Sequence, residues 1–361
     1  MGGGLGLLLS QPALGQRLTP AEQKIEPRPQ PADSVAAQVV AGIPRYVPEG
    51  PVSGTVRLWG HGNRKLPWMH NLVDEWAAAF GRFHPEVRLD NHLYGTSSGI
   101  PALYNGLGDI AMLGEEILPD AAKAFERVKG YAPTGIELMT GSMDIRNFDY
   151  AQMVFVHRDN PLRHISLVDL DAVLGTEHRR GARNVRTWGQ LGLGGAWRNR
   201  PITPYSWDID DSFGFYLRNA VLLGSHRWNP ALRGFKHIIY PDGRIYDHGQ
   251  QILDALAKDP GGLAVSNIRY AGPEVRAVPL GTTGAGPFVM ASDATLIDQS
   301  YPLARTLPAV IDRPPDGRVD PAVRAFLRFV LSREGQEAVN RDGRFLPLSP
   351  EMIVRQRRVL G

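Results

Sequence analysis

Apolar residues in the first part of the folded chain switch between two spacings. Alternation over 56–59 predicts a short strand, and apolar positions three or four apart over 68–83 predict a helix. The same reasoning predicts a strand over 87–93, a helix over 100–107 and a strand over 109–113. Short strands that alternate with helices are typical of an α/β fold with a parallel sheet.

The remainder of the chain continues this mixture. Apolar runs over 153–156 and 263–265 predict buried strands. Helices are predicted over 167–174, 213–223 and 248–258. Near the end, Asp320 followed by Pro321 is typical of a helix start, which predicts a helix through residue 331. A further helix is expected over 334–340, ended by the glycine at 343.

The two ends of the chain differ in composition from the part between them. Residues 1–16 are apolar and end in a small-x-small pattern, which predicts a secretory signal peptide, although no basic residue precedes the apolar run. Residues 17–54 are rich in Pro, Gln and Ala and are predicted to be an extended lead-in. Residues 351–361 are predicted to be a C-terminal tail. No stretch is long and apolar enough to span a bilayer, so no membrane insertion is expected.

Composition excludes several classes of protein. Lys+Arg total 40 and Asp+Glu total 37, so the net charge is only +3 and a polybasic nucleic-acid binder is excluded. There is no cysteine, which removes disulfides, thiolate catalysis, Cys-ligated zinc and a lipid-anchored N-terminal cysteine. Ten histidines show no H-E-x-x-H and no tight ligand spacing, so no metal and no cofactor are expected.

Two glycine-containing loops connect predicted strands to helices. Residues 95–99 (G-T-S-S-G) offer hydroxyls at Thr96, Ser97 and Ser98. Hydroxyls and backbone N–H groups at a helix start favour an anion, although a capped helix behind a tight turn has the same sequence. The other loop, Gly60 to Asn63 (G-H-G-N), could add N–H donors and the His61 side chain. It lacks the spacing of a P-loop.

The residues of the 95–99 loop also match G-x-S-x-G, the nucleophile elbow of α/β-hydrolases. Ser97 would then be the nucleophile, with Asp210 and His248 as partners by chain order alone. The loop follows only two predicted strands, which is early for that fold, and no HGGG-type oxyanion loop is present. A serine hydrolase is therefore an alternative hypothesis.

Three segments carry a resemblance to a known family. These are residues 95–111, beginning G-T-S-S-G-I-P-A-L-Y; residues 186–197, R-T-W-G-Q-L-G-L-G-G-A-W; and residues 301–347, which include Y-P-L-A-R and D-P-A-V-R-A-F-L-R-F-V-L-S-R-E-G-Q. In order and spacing they resemble the periplasmic phosphate-binding proteins of ABC transporters, over about residues 54–348.

The resemblance implies a two-lobed type II periplasmic-binding fold of the α/β class, with a hinge between the lobes. Lobe 1 is expected to be discontinuous, over 55–155 and 272–350, and lobe 2 to span 156–271. It also implies a monomeric, non-enzymatic solute-binding protein in the periplasm. That protein would bind phosphate or another small ligand between its lobes, and an ABC permease would be its partner.

Site residues are carried over only where the motifs match. Thr96, Ser97 and Ser98 match the family's hydroxyl loop, and Asp109 matches an acidic residue before its third loop. Where the family usually has other polar residues, this chain has Gly60, His61 and Asn63 in its first loop and Glu115 in its third loop.

The family's Arg and Ser-Gly-Thr signature in lobe 2 is replaced by a segment that holds Trp207, Asp210 and Ser212. Replacing Arg removes the main positive charge, and added carboxylates would repel a buried dianion. We therefore expect an incomplete phosphate site and a changed ligand, such as a cationic or zwitterionic one, with Trp207 able to stack on it. A ligand-free structural or sensory protein of the same fold is the third hypothesis.

Overall fold

The structure is a computed structural model that describes residues 31–62, 68–143, 151–181, 183–242 and 244–361. Its strands form two five-stranded sheets, each covered by helices, so the chain has two lobes. Two short two-stranded ribbons accompany the second sheet. The expected two-lobed α/β fold is confirmed. The predicted signal peptide lies outside the described residues.

Lobe 1 is built on the sheet formed by β1 (Gly54–Gly60), β2 (Val87–His92), β3 (Ile110–Met112), β4 (Thr134–Thr140) and β14 (Thr306–Ile311). The order of its strands is β2-β1-β3-β14-β4. β1 is parallel to β2 and β3, whereas β14 is antiparallel to β3 and β4. The sheet is therefore mixed rather than wholly parallel as the strand–helix alternation had predicted, because the chain's return from the other lobe enters it in the opposite direction.

Seven helices accompany this first sheet: α1 (Val35–Gly42), α2 (Trp68–Phe80), α3 (Gly99–Tyr104), α4 (Pro119–Lys129), α9 (Pro321–Val330), α10 (Arg333–Asp342) and α11 (Pro350–Leu360). α2, α9 and α10 share a core with the sheet in which Trp76 and Phe326 are fully buried. The indole N–H of Trp76 donates to the carbonyl of Gly335 at 2.9 Å, which joins the early and late parts of the chain.

Lobe 2 contains β5 (Met153–His157), β6 (Ile165–Ser166), β7 (Thr203–Trp207), β8 (Arg233–Phe235), β9 (Ile238–Ile239), β10 (Ile245–Tyr246), β11 (Gly262–Ser266), β12 (Val275–Ala277) and β13 (Leu280–Gly281). Its main sheet has the order β12-β5-β11-β7-β8, with β7 parallel to β8 and β11. Its helices are α5 (Leu167–Leu174), α6 (Ser212–Ala220) and α7 (His248–Leu256), and α8 (Asp293–Ile297) follows on the way back.

Three predicted segment boundaries differ from the structure. The predicted extended lead-in contains α1, which begins at the Ser34 cap and packs against α10. Residues 351–361, predicted to be a tail, belong almost entirely to α11, which packs on β4 and α9. The expected return to lobe 1 at residue 272 precedes β12, which pairs with β5 in the second sheet. In each case long-range packing outweighs local composition.

Candidate functional site

The first half of the candidate site lies where β1, β2 and β3 end. Because these strands are parallel, the loops that follow them meet at one edge of the sheet. They are the loops at residues 60–62, 95–98 and 113–116. The predicted residues Gly60, His61 and the hydroxyl loop are therefore brought together, whereas Asn63 lies outside the described residues.

Gly60 allows the first loop to run against β3. Its φ is +117°, and a Cβ at this position would lie 2.1 Å from the carbonyl oxygen of Met112. The backbone N–H of His61 donates to that same oxygen at 2.8 Å. A side chain at residue 60 would therefore displace the strand and strain the backbone.

His61 and Thr96 connect the first two loops. The His61 Nδ1 lies 3.0 Å from the Thr96 hydroxyl, which also accepts a hydrogen bond from the backbone N–H of Gly114 at 3.2 Å. Burial, together with the positive charge of Arg305, lowers the pKa of His61 to about 4. The imidazole is thus neutral at pH 7, and its Nδ1 can accept a hydrogen bond from the Thr96 hydroxyl.

The two serines of the hydroxyl loop have different surroundings. The hydroxyl of Ser98 donates to the carbonyl of Gly95 at 2.8 Å, which closes the turn. The Ser97 side chain is exposed, within a 3₁₀ turn over Thr96–Ser98. In a nucleophile elbow the serine occupies a strained turn. Ser97 is not among the described non-glycine residues with positive φ, so the hydrolase hypothesis is not favoured.

An acidic pair in the third loop faces a buried arginine. Arg305 is 1% exposed and donates through Nε and Nη2 to the two carboxylate oxygens of Glu116, each at 3.0 Å. Burial and repulsion by Glu116 raise the pKa of Glu115, and Arg305 partly offsets them. Asp211 of lobe 2 also raises the pKa of Glu115, so the two lobes approach each other at this carboxyl group.

Aromatic rings form the facing wall on lobe 2. Trp207, at the end of β7, is buried, and its ring stacks on Phe213 with centroids 5.1 Å apart and planes 23° apart. The guanidinium of Arg305 lies 5.3 Å from the Phe213 ring centroid and 4.7 Å from that of Tyr216. One face of Trp207 is therefore occupied by Phe213, and the charge of Arg305 is held between lobe 1 carboxylates and lobe 2 rings.

Aspartates cap both lobe 2 helices that begin at this wall. Asp211 accepts from the backbone N–H of Phe213 at 3.0 Å, and Asp247 accepts from that of Gly249 at 2.7 Å. Burial acts to raise the pKa of Asp211, but its interaction with His248 outweighs burial and the pKa is lowered. Asp211 is therefore an anion where the resembled family has its Ser-Gly-Thr signature.

Two histidines stack beside these caps. The rings of His237 and His248 have centroids 3.9 Å apart and planes 22° apart. His248 Nδ1 is 3.3 Å from a carboxylate oxygen of Asp211, and His237 Nδ1 is 3.8 Å from one of Asp247. Burial and repulsion by His248 lower the pKa of His237. This cluster was not predicted as a site, since only His248 was noted, and only as a hydrolase candidate.

Three predicted site residues of the carried-over motifs have other surroundings. Asp109 precedes β3, at the edge of the sheet opposite the loops, and holds Arg57 through Nε at 2.9 Å and Nη2 at 2.6 Å. The structure thus removes Asp109 from the site, because its carboxylate is engaged in an ion pair between strands. Asp210 and Ser212 are exposed at the start of α6, and His248 pairs with Asp211 rather than with Asp210.

Sequence reasoning missed Glu116, Phe213, Asp247 and Arg305 as contributors to this site, whereas Asp211 is one of the added carboxylates that it expected to repel a dianion. Asp211 and Asp247 each precede a predicted helix, so an N-cap pattern was available for both. Arg305 carried no such signal, since its partner Glu116 is 189 residues away along the chain.

The fold is the two-lobed fold of periplasmic binding proteins. No family model matches the chain. Over 332 residues it is 26% identical to the phosphate-binding protein PstS of Pseudomonas aeruginosa, covering 91% of this chain and 94% of that protein. The chain is therefore similar to a phosphate-binding protein over most of its length, and the resemblance inferred from its motifs is confirmed.

Solved structures agree on the fold. PstS from Borrelia burgdorferi superposes with a TM-score of 0.53 at 14% identity, covering 82% of this chain and 100% of that one. An ABC-type phosphate transport receptor from Vibrio cholerae superposes with a TM-score of 0.50 at 14% identity, covering 81% and 99%. Among the described residues, none of the helices has the length and apolar character needed to cross a bilayer.

Proposed function

We propose that this chain is the exported solute-binding component of an ABC importer, and that it captures a small solute between its two lobes. The similarity to a phosphate-binding protein over nine-tenths of the chain supports the class. The loops gathered at the facing edges of the two sheets support the location. A permease would be the partner that receives the solute.

The observation that carries the ligand proposal is the charge of the cleft. Glu115, Glu116, Asp211 and Asp247 border it, and Arg305 is already paired with Glu116. Each carboxylate close to a bound anion costs about 1–4 kcal/mol per unit of charge in a partly solvated site. Phosphate dianion should therefore bind weakly, and a cationic, zwitterionic or uncharged polar solute should bind better.

The proposed contacts with the solute divide by lobe. In lobe 1 they are the backbone of Gly60, the side chains of His61 and Glu115, and the hydroxyl loop (Thr96, Ser97 and Ser98). In lobe 2, Trp207 is 1% exposed and its ring is covered by Phe213, so the expected stacking on a solute is not proposed. The neutral imidazole and the hydroxyls offer hydrogen bonds to an uncharged or zwitterionic group, and Glu115 offers a charge to a cationic one.

Calorimetry with inorganic phosphate on refolded, ligand-free protein tests this proposal. We expect no submicromolar binding to the wild-type protein. In Asp211→Ser phosphate binding should strengthen, because an anion is replaced by a hydroxyl donor. Asp316→Asn, an exposed acid away from the cleft, should leave phosphate binding unchanged. Submicromolar phosphate binding by the wild type would overturn the proposed change of ligand.

Small-angle scattering tests the binding-protein class itself. A screen of metal ions and metabolites by thermal shift identifies candidate solutes, and the radius of gyration is then measured with and without each one. We expect at least one solute to compact the protein as the lobes close. Failure of every stabilising solute to compact it would favour the ligand-free structural or sensory protein.

A further inference from the structure

A group of four side chains gathers at the carboxyl end of the second sheet. His237 follows β8, Asp211 precedes α6, and Asp247 and His248 begin α7. Because β7 and β8 are parallel, the segments that follow them meet at the cleft edge. The ligand atoms of His237, Asp247 and His248 all lie within 4.8 Å of one another.

Two of these three potential ligands are buried and the third, His237, is partly exposed. Asp247 is 3% exposed and His248 is 2% exposed, whereas the His237 side chain is 33% exposed. Buried polar groups are normally hydrogen-bonded, and buried charges are normally paired or coordinate a metal ion. His237 provides the open side through which such a partner could enter.

The ring of His248 lacks a full set of partners. Within the described part of the chain, neither of its buried nitrogens makes a hydrogen bond of good geometry, and Nδ1 has only the carboxylate of Asp211 at 3.3 Å. Leaving a buried donor or acceptor unsatisfied costs about 1–3 kcal/mol. If Nδ1–H points to Asp211, the tautomer leaves the Nε2 lone pair of His248 available to a ligand.

We propose that His237, Asp247 and His248 bind a divalent transition-metal ion of the zinc type, with Asp211 orienting the His248 ring. Two imidazoles and a carboxylate suit Zn²⁺, Cu²⁺ or Ni²⁺ better than Ca²⁺ or Mg²⁺, which prefer all-oxygen sites. This inference deepens the proposed function and rests on it, because an ion held here would be the solute of the negatively charged cleft.

Binding requires one local movement. A metal ion lies close to the plane of each imidazole that binds it, so two stacked rings cannot share an ion as they stand. His237 is the ring that can turn, since it is partly exposed and the backbone N–H of His248 reaches its Nδ1 only at 3.3 Å. Donor atoms on a tetrahedral Zn²⁺ lie about 3.4 Å apart, so the cluster has to contract by roughly 1 Å.

The test is direct Zn²⁺ binding to the full chain after treatment with a chelator. We expect one Zn²⁺ per chain, with micromolar or tighter affinity in competition with a chelating dye. Co²⁺ should give the visible absorption of a four-coordinate ion. His237→Gln and Asp247→Asn should each weaken Zn²⁺ binding at least tenfold. Asn can still cap α7, and residue 237 is exposed, so both variants should fold.

The matched control is His226→Gln, an exposed histidine elsewhere in lobe 2, which should bind Zn²⁺ like the wild type. Wild type that binds no stoichiometric Zn²⁺ would overturn the proposed site, as would site variants that bind like the control. A 1:1 zinc complex that does not compact in scattering retains the site but overturns the inference that Zn²⁺ is the solute of the cleft. A different solute that compacts the protein when Zn²⁺ does not bind retains the function and overturns the site.

Discussion

The buried ion pair of Arg305 with Glu116 gives a quantitative prediction for the stability of the protein. Glu116→Gln keeps the shape of the side chain but removes its charge. Two unit charges about 4 Å apart interact by about 4 kcal/mol at an effective dielectric constant of 20. The Glu116 side chain is 30% exposed, so solvent weakens this interaction, whereas Arg305 at 1% exposure cannot regain its own hydration. We expect the free energy of unfolding to fall by about 2 kcal/mol at pH 7.

Glu115 makes the prediction sharper. Because its pKa is raised, Glu115 binds a proton more tightly in the native protein than in the unfolded chain, so its ionisation costs stability as pH rises through the raised pKa. Glu115→Gln should therefore stabilise the protein at pH 7, and the gain should vanish below the unfolded value of about 4.3. In Glu116→Gln, by contrast, Glu115 can take over the guanidinium of Arg305. The double variant loses both carboxylates. Its free energy of unfolding should therefore be lower than the sum of the two single changes predicts.

The assay is urea unfolding followed by tryptophan fluorescence, at pH 7 and pH 4, for the wild type and all three variants. Asp316→Asn, in an exposed pair with Arg318, is the control and should change stability by less than about 0.5 kcal/mol. If Glu116→Gln is no more destabilising than that control, the buried ion pair does not stabilise the protein as argued.

Three further predictions concern single residues. The pKa of His61 is lowered to about 4, so its neutral state stabilises the fold at pH values above the unfolded pKa of about 6.5, and this stability is lost as pH falls toward 4. An NMR titration of His61 should give a midpoint near 4. A midpoint above 6 would contradict the prediction. Asp320→Ala should lower the free energy of unfolding by about 1 kcal/mol, because the Asp320 carboxylate accepts hydrogen bonds from two backbone N–H groups at the start of α9. Asp320→Asn should not lower it, because Asn can also cap a helix. Equal losses of unfolding free energy for the two variants would refute the role of Asp320 as a cap. Gly60→Ala should lower the free energy of unfolding by about 2–5 kcal/mol, because a Cβ would clash with the carbonyl oxygen of Met112 and because φ is positive at residue 60. Gly50→Ala should change it very little, since a Cβ at residue 50 meets open space. Similar unfolding midpoints for the two variants would contradict the close approach of residue 60 to β3.

The parts of the fold that sequence predicted are those with a local cause. β1 and α2 follow from their apolar periods, and α9 follows from the Asp320–Pro321 start. α1 was missed because it is short, lies beside a Pro-rich stretch and depends on α10, where the Arg333 side chain donates to the carbonyl of Ile43 at 2.8 Å. Isolated helices of this length are marginal, so a local pattern cannot reveal them.

The residues of the candidate site also divide into those with a local sequence signal and those that depend on long-range contacts. The hydroxyl loop and His61 could be predicted because a strand–glycine–helix pattern marks each loop. The ion pair of Asp109 with Arg57 could not be predicted, because it depends on the pairing of β1 with β3, which places the two residues side by side. The histidine cluster also escaped, since His237 and His248 are brought together by the turn through β9 and β10 rather than by a ligand-like spacing.

The pairing of β14 with β3 and β4 has a consequence for how the chain is made. The first sheet lacks a central strand until residues 306–311 are available, and lobe 1 also needs the helices that follow. Lobe 2 is one continuous stretch and can fold as soon as it emerges from the ribosome, whereas lobe 1 has to wait for nearly the whole chain. Such distant contacts slow folding, so a newly made chain stays incomplete for longer than its size suggests.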